Sequence, residues 1–366
     1  MSVNESSVRS VLVELDCIEP DFWSAYQLDA YEKPRSFFLE PRSFSKPLKI
    51  KTNAVSVLNR KLSKIEHHLR DVVSIGFEGE PYGEEEDHYR LTQGVLETLL
   101  AYRYPVHLMS SSHSMLRDIE LLKKIADVSF LHISIPVVLK HELYDRFYPE
   151  ESFETTLALI KALRIALPQV HISAIVLPLL PLIGDDYESL EVMIQALKRS
   201  GAHSLSMSYY EEMNFKQIQI LLDTLQDFPE YIELYENRFD LLIEEGVLIE
   251  GEVQLKDKDR EKFRQKIELL SAKYGLDLTV PRYIPKDFRY SNYILAQRLF
   301  KRATLYDKAG EDSSSVREIA QSLQSMDYTV SKRELIAFAK NEKVKRDIDY
   351  FLFNNELKVF GQARLF

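Results

Sequence analysis

Two stretches of this sequence carry side chains arranged for chemistry. The first is Glu78-Gly79-Glu80-Pro81, which follows an apolar run and puts the Glu80 carboxylate where a strand should end. A carboxylate at a strand end can hold an ammonium group through a charge-assisted hydrogen bond. The acidic run Glu84-Glu85-Glu86-Asp87 follows closely, and a solvated acidic loop accounts for the same residues equally well. The second stretch spans residues 31–70, with ten basic residues against three acidic ones. Phe37, Phe38 and Phe44 alternate there with Arg35, Arg42, Lys46 and Lys49, a mixture that pairs phosphate contacts with base stacking in nucleic-acid surfaces. The plainer alternative is a solvated loop whose phenylalanines pin it to the fold.

Much else is excluded. Cys17 is the only cysteine in 366 residues, so no intramolecular disulfide can form. Histidines such as His107, His132, His171 and His203 are scattered, with no pair at metal-ligand spacing beside a cysteine or carboxylate cluster. His107 and His171 fall inside expected strands, where a satisfied core or lumen histidine is the simpler reading. No phosphate-binding or dinucleotide glycine fingerprint is present, nor a Gly-x-Ser-x-Gly elbow. No residue is assigned as catalytic from sequence. The net charge of -10 argues against coating nucleic acid broadly, and 45% hydrophobic residues suffice for a substantial core. No run approaches the roughly 20 apolar residues of a membrane span, and the polar first residues are unlike a signal peptide. The expectation is a cytoplasmic protein with no membrane partner.

Regular alternation must position these groups. Apolar runs rich in branched residues at 8–15, 72–76, 105–109, 128–135, 170–177 and 203–207 read as strands. Segments with helical spacing, at 55–69, 90–102, 115–126, 153–166 and 190–200, separate them. Such alternation implies βαβ units and a parallel sheet, with the functional edge at the C-terminal strand ends. Six units predict an open, partial (βα)6 TIM-like barrel over residues 1–210. Helices are expected at 214–225, 237–245 and 257–274, the last capped by Gly275. They give a helical continuation over 211–290 and a mostly helical C-terminal region over 291–366. Within that region the helices at 316–325 and 332–339 flank Ser325-Met326-Asp327-Tyr328-Thr329, which fits either a helix-turn-helix or a cap packed on the barrel.

Four blocks occur in a telling order: Lys51-Thr52-Asn53-Ala54, Ile75-Gly76-Phe77-Glu78-Gly79-Glu80-Pro81-Tyr82, Leu108-Met109-Ser110-Ser111-Ser112, and Leu177-Pro178-Leu179-Leu180-Pro181-Leu182-Ile183-Gly184-Asp185-Asp186. Together they resemble the spore photoproduct lyase and DNA repair photolyase-like branch of the radical S-adenosylmethionine (SAM) enzymes. In that branch the loop after strand one carries three cysteines in a C-x3-C-x2-C arrangement, which hold three irons of a four-iron four-sulfur cluster. The resemblance places those positions at Cys17, Asp21 and Ser24, where two hard oxygen ligands replace soft thiolates, so no cluster is expected. It also implies that Glu80 faces the amino group of SAM and that Ser134 and Ser173 lie near its ribose or carboxylate. Pro178 and Pro181 would shape the loop over adenine, and Tyr209 and Tyr210 would line the barrel mouth. The lysine that meets the SAM carboxylate in close relatives is missing from Ser110-Ser111-Ser112. The implied function is a degenerate, cluster-free pseudoenzyme that binds nucleic acid or a protein partner, with no required cofactor and SAM binding left open. The alternatives are an active SAM-dependent lyase on nucleic acid and an enzyme with cluster-independent chemistry in the same cavity.

Overall fold

The structure, a computed structural model, describes residues 3–14, 26–32, 48–64, 70–77, 79–140, 152–176, 183–207, 212–214, 226, 252–254, 257–281, 283, 288–308, 310–328, 330, 332–339, 342, 344–345 and 356–358. Its strands are β1 (Val3–Ser6), β2 (Val13–Glu14), β3 (Tyr26–Leu28), β4 (Tyr31–Glu32), β5 (Leu48–Lys51), β6 (Val73–Ile75) and β7 (Val106–Met109). They continue with β8 (Leu131–Val137), β9 (His171–Val176), β10 (Ser204–Ser206), β11 (Glu212–Asn214), β12 (Glu252–Gln254), β13 (Thr279–Pro281) and β14 (Glu356–Lys358). In the main sheet, β3, β6, β7, β8, β9 and β10 are neighbours in chain order and all parallel. This is the expected six-stranded partial barrel. β2 adds an antiparallel edge against β3, and β1, β5 and β4 form a separate small sheet.

Alternation with period two gives each strand two unlike faces. On one face Leu108, Ile133, Ile172 and Leu205 are fully buried and share a core with Leu96 and Leu99, Ile125, Leu159 and Leu163, and Ile194 and Leu197. Those residues come from the helices Leu91–Ala101, Ile119–Val128, Phe153–Ala166 and Tyr187–Ser200, which intervene between strands. The other face carries Ser74, His107, His132, Ser134, His171 and Ser173, and it is polar. At the far edge, Asp277 forms a parallel bridge to Ser204: Leu205 N–H donates to its carbonyl at 2.8 Å, and its own N–H donates to the His203 carbonyl at 3.0 Å. A short pairing of this kind shields the open edge of the sheet.

One expected strand is corrected. The apolar run at 8–15 is not the first parallel strand; Val11 and Leu12 are buried core residues, and Val13–Glu14 pairs antiparallel at the edge. The first parallel strand is β3, paired in register with β6. Its short length and the polar Gln27 and Asp29 hide it from a reading based on apolar runs. Cys17, Asp21 and Ser24 therefore precede this strand rather than follow it, and they lie outside the described residues. The expected helices over 214–225 and 237–245 also fall outside, apart from Asn214, which ends β11. The helix Asp257–Tyr274 has the expected bounds, and Gly275 beyond it adopts the left-handed φ of +67°.

A second hydrophobic core lies in the C-terminal part. The helices Phe288–Lys308, Ser314–Ser325 and Lys332–Phe338 pack through Leu295, Leu299, Ala303, Val316, Ile319, Leu323 and Leu335. β13 and β14, which precede and follow these helices, pair antiparallel. Arg298 joins Asp71 beside the start of β6 at 3.4 Å, and the Tyr283 ring meets Phe130, just before β8, at 5.7 Å between centroids. Among the described residues no helix is long and apolar enough to cross a membrane.

Candidate functional site

The C-terminal ends of β3, β6 and β7 converge at Gly76. Its N–H donates to Asp29 Oδ1 at 2.9 Å, which ties the exit of β6 to the exit of β3. A Cβ on Gly76 would lie 2.0 Å from the Met109 carbonyl oxygen, and its φ is +94°, so only glycine fits this approach to β7. The turn then delivers Glu80 to the end of β7. The Glu80 carboxylate accepts hydrogen bonds from the Ser110 hydroxyl, from Ser111 N–H at 3.1 Å and the Ser111 hydroxyl at 3.3 Å, and from Tyr82 N–H at 3.0 Å. The residue remains partly exposed.

Behind this loop lies a buried ionic cluster. Glu86 is 1% exposed and accepts from Thr92 N–H at 2.9 Å and Gln93 N–H at 3.1 Å, in the first turn of the helix Leu91–Ala101. There a carboxylate satisfies otherwise unpaired donors and complements the helix dipole. The Tyr31 hydroxyl also donates to Glu86, and Arg117 bridges Glu86 and Asp87 at 3.1 Å and Asp118 at 3.2 Å. Burial, then the bond to Glu86, pushes the Tyr31 hydroxyl far above its ordinary range. Thr92 closes the loop by donating its hydroxyl to the Pro81 carbonyl at 2.5 Å.

The floor beneath the rim is a ladder of histidines and serines. In register across the sheet stand Ser74, His107, His132 and His171, and one row nearer the rim Met109, Ser134, Ser173 and Ser204. The His107 ring bonds Ser74 at 2.7 Å and Ser134 at 2.8 Å; Ser134 bonds Ser173 at 2.8 Å; and Ser173 bonds His132 at 2.9 Å. His171 bonds Ser204 at 2.8 Å. Adjacent rings stack, His107 on His132 and His171 on His203, each at 4.9 Å. Burial pushes His107 down to about 3 and His171 to about 4, and holds His132 well below the ordinary imidazole value, helped by its histidine neighbours. These are neutral rings, each able to donate from one nitrogen and accept at the other.

The sequence candidates thus separate. Glu80 sits at the rim, whereas Ser134 and Ser173 are fully buried and engaged in the floor. Lys49 lies on β5, exposed and 3.7 Å from Glu32. Arg35, Arg42, Lys46, Pro178, Pro181, Tyr209 and Tyr210 lie outside the described residues. Asp186 caps the helix Tyr187–Ser200 by accepting from Ser189 N–H at 2.9 Å. Partial burial opposes its ionisation, but the hydrogen bonds from Ser189 and neighbouring backbone outweigh this and lower its pKa. Sequence reasoning missed Asp29, Glu86 and the joined ladder. One signal was available: His-x-Ser recurs as His132-x-Ser134 and His171-x-Ser173 in consecutive strands.

No known family profile matches the chain. Uncharacterized proteins of Mycobacterium tuberculosis and Mycobacterium bovis are 26% identical to it over 166 residues, 45% of this chain and 48% of each relative. The chain thus spans about half the length of the curated relatives it matches. Among solved structures, spore photoproduct lyase complexed with dinucleoside spore photoproduct superimposes with a TM-score of 0.49 at 9% identity, covering 74% of this chain and 78% of that one. The cobalamin-dependent SAM radical enzyme OxsB, with aqua-cobalamin and SAM bound, gives 0.40 at 13% identity, covering 88% of this chain and 54% of the other. The strand order described above, rather than these scores, carries the fold.

A family-type iron-sulfur cluster does not fit this chain. It needs three thiolates on the loop after the first parallel strand. Residues 29–47, which leave β3 and lead to β5, contain no cysteine, and the chain has one in all.

Proposed function

We propose that this chain is a degenerate radical SAM-like barrel of the spore photoproduct lyase type, a binding protein that takes the amino group of a SAM-like ligand at Glu80 and holds no iron-sulfur cluster. The observation that carries the reading is the Glu80 carboxylate, fixed by Ser110, Ser111 and Tyr82 on a residue that stays partly exposed at the strand ends. An anion preorganised in this way meets an ammonium without first paying the entropy of ordering itself. The supporting chemistry is the donor set: one cysteine in 366 residues. In the same reading, the basic segment with Arg35, Arg42, Lys46 and Lys49 contacts single-stranded nucleic acid.

Calorimetry with SAM and S-adenosylhomocysteine tests the rim. Binding should be measurable for the unaltered protein and weaken by about tenfold or more in Glu80→Gln, which removes the charge of one charge-assisted bond. No heat at millimolar ligand defeats the amino-group reading. Anaerobic reconstitution with iron and sulfide tests the rest: iron approaching about four per chain, the content of a [4Fe–4S] cluster, overturns the cluster-free assignment.

A further inference from the structure

The C-terminal helices have a construction that a simple cap does not require. They possess their own core, separate from that of the barrel. On the helix Ser314–Ser325 the buried residues Val316, Ile319, Ala320 and Leu323 form one stripe, leaving Gln321, Ser322 and Ser325 exposed. The connection to the next helix is locked from inside. Asn292, buried on the first helix, donates its side-chain amide to the Tyr328 carbonyl at 2.8 Å and the Met326 carbonyl at 3.5 Å, and Val330 is buried beneath. Asn292 thus ties the start of the connection between the second and third helices to the first helix. On the third helix Leu335 turns inward while Arg333, Glu334, Ala337 and Phe338 stay exposed, Phe338 by 48%. The contacts to the barrel at Asp71 and Phe130 come from Arg298 on the first helix and from Tyr283, which precedes it. The sequence charge points the same way: residues 332–346 carry six basic and two acidic residues in a chain of net charge -10, although Lys340, Lys343 and Arg346 lie outside the described residues.

We infer that the three C-terminal helices form a helix-turn-helix unit that docks on duplex DNA, with Lys332–Phe338 as the groove-facing helix. A helix with a packed inner face, a partner helix held against it and a locally basic sequence is what major-groove docking demands. Asp71 and Phe130 immediately precede β6 and β8, so the unit attaches at the N-terminal strand ends, opposite the rim that carries Glu80. It is a tether for the barrel and not a route into it. The inference rests on neither the Glu80 reading nor the segment 31–70.

Fluorescence anisotropy of the full-length protein with a labelled mixed-sequence duplex tests it. Binding should appear at low salt and weaken by about tenfold or more between 50 and 200 mM, because each neutralised phosphate releases counterions. Arg333→Glu and Ala337→Glu, both at exposed positions, should each weaken binding by about tenfold with the melting temperature unchanged. Lys161→Glu, on the exposed side of a barrel helix, should have little effect, and SAM calorimetry should be the same in all variants. Absence of salt-dependent duplex binding overturns the inference. So does binding that survives both third-helix changes but is lost when Arg35, Arg42, Lys46 and Lys49 become glutamine, or binding that favours single strands over the duplex.

Discussion

Gly76 is the residue on which the rim turns. Replacing it with alanine puts a methyl group against a backbone carbonyl, not against a side chain that could swing aside. Added to the strain of a positive φ, this should cost about 3 kcal/mol or more. Urea denaturation would measure the loss, and a change under about 0.5 kcal/mol would mean that the β6 and β7 exits do not meet this closely. The histidine floor makes a second prediction, in pH. His107 and His132 are buried neutral with folded pKa values far below the ordinary 6.5 or so of the unfolded chain. As pH falls below that value the unfolded chain takes up protons that the folded one refuses, so stability is full above about 6.5 and drains away below it. Each of the two rings should contribute up to about 1.4 kcal/mol per pH unit. Most carboxylates are still ionised between pH 6.5 and about 4.5, which leaves that window to the histidines. A flat denaturation midpoint across it would show the rings protonating in place, and His107→Gln should flatten the slope by about a third or less if they do not, because His171 and His203 are held down as well.

Among the elements, the loop between β6 and the helix Leu91–Ala101 depends on one buried carboxylate. Glu86→Ala would leave Arg117 and two helix N–H groups short of a partner, a loss of about 3 kcal/mol by analogy with other broken buried pairs. It should also loosen Glu80, so ligand affinity ought to fall with stability; loss of stability alone would mean that the rim is positioned by Ser110 and Ser111 without help. Nothing in the sequence separates Glu86 from Glu84, Glu85 and Asp87, because a charge run discloses its buried member only once the helix start is placed. The same limit explains β3. Five parallel strands are legible because branched apolar residues run through or just beside each, as Val72, Val73 and Ile75 do at β6, whereas β3 offers only Leu28 between the polar Gln27 and Asp29. Val11-Leu12-Val13 is the stronger apolar signal, and it leads to core burial and an edge pairing instead. Taking that run as strand one moves the cluster positions implied by the resemblance from the connection after β3 back to Cys17. Neither place offers the three thiolates that such a cluster needs.

At the scale of the whole molecule, two cores share one chain. The barrel core gathers residues from Val11 to Leu276, and the C-terminal core gathers residues from Leu295 to Val344. Among the described residues the Arg298–Asp71 pair, the Tyr283–Phe130 ring contact and the pairing of β14 with β13, which packs beside β9 and β10, join the parts. Each core packs within itself, so the two should open as distinct cooperative units. Leu323→Ala removes a fully buried side chain from the second core and should cost that unit about 2 to 5 kcal/mol, whereas Ile133→Ala should do the same to the barrel. Hydrogen exchange read by mass spectrometry distinguishes the outcomes. Leu323→Ala is expected to speed exchange in residues 292–339 and leave β7 to β9 protected, while Arg298→Ala should speed exchange modestly in the first C-terminal helix and change the barrel little. If Leu323→Ala deprotects the barrel strands to the same degree, the molecule is one cooperative unit. The C-terminal helices would then be part of the barrel's stability rather than a module hung upon it.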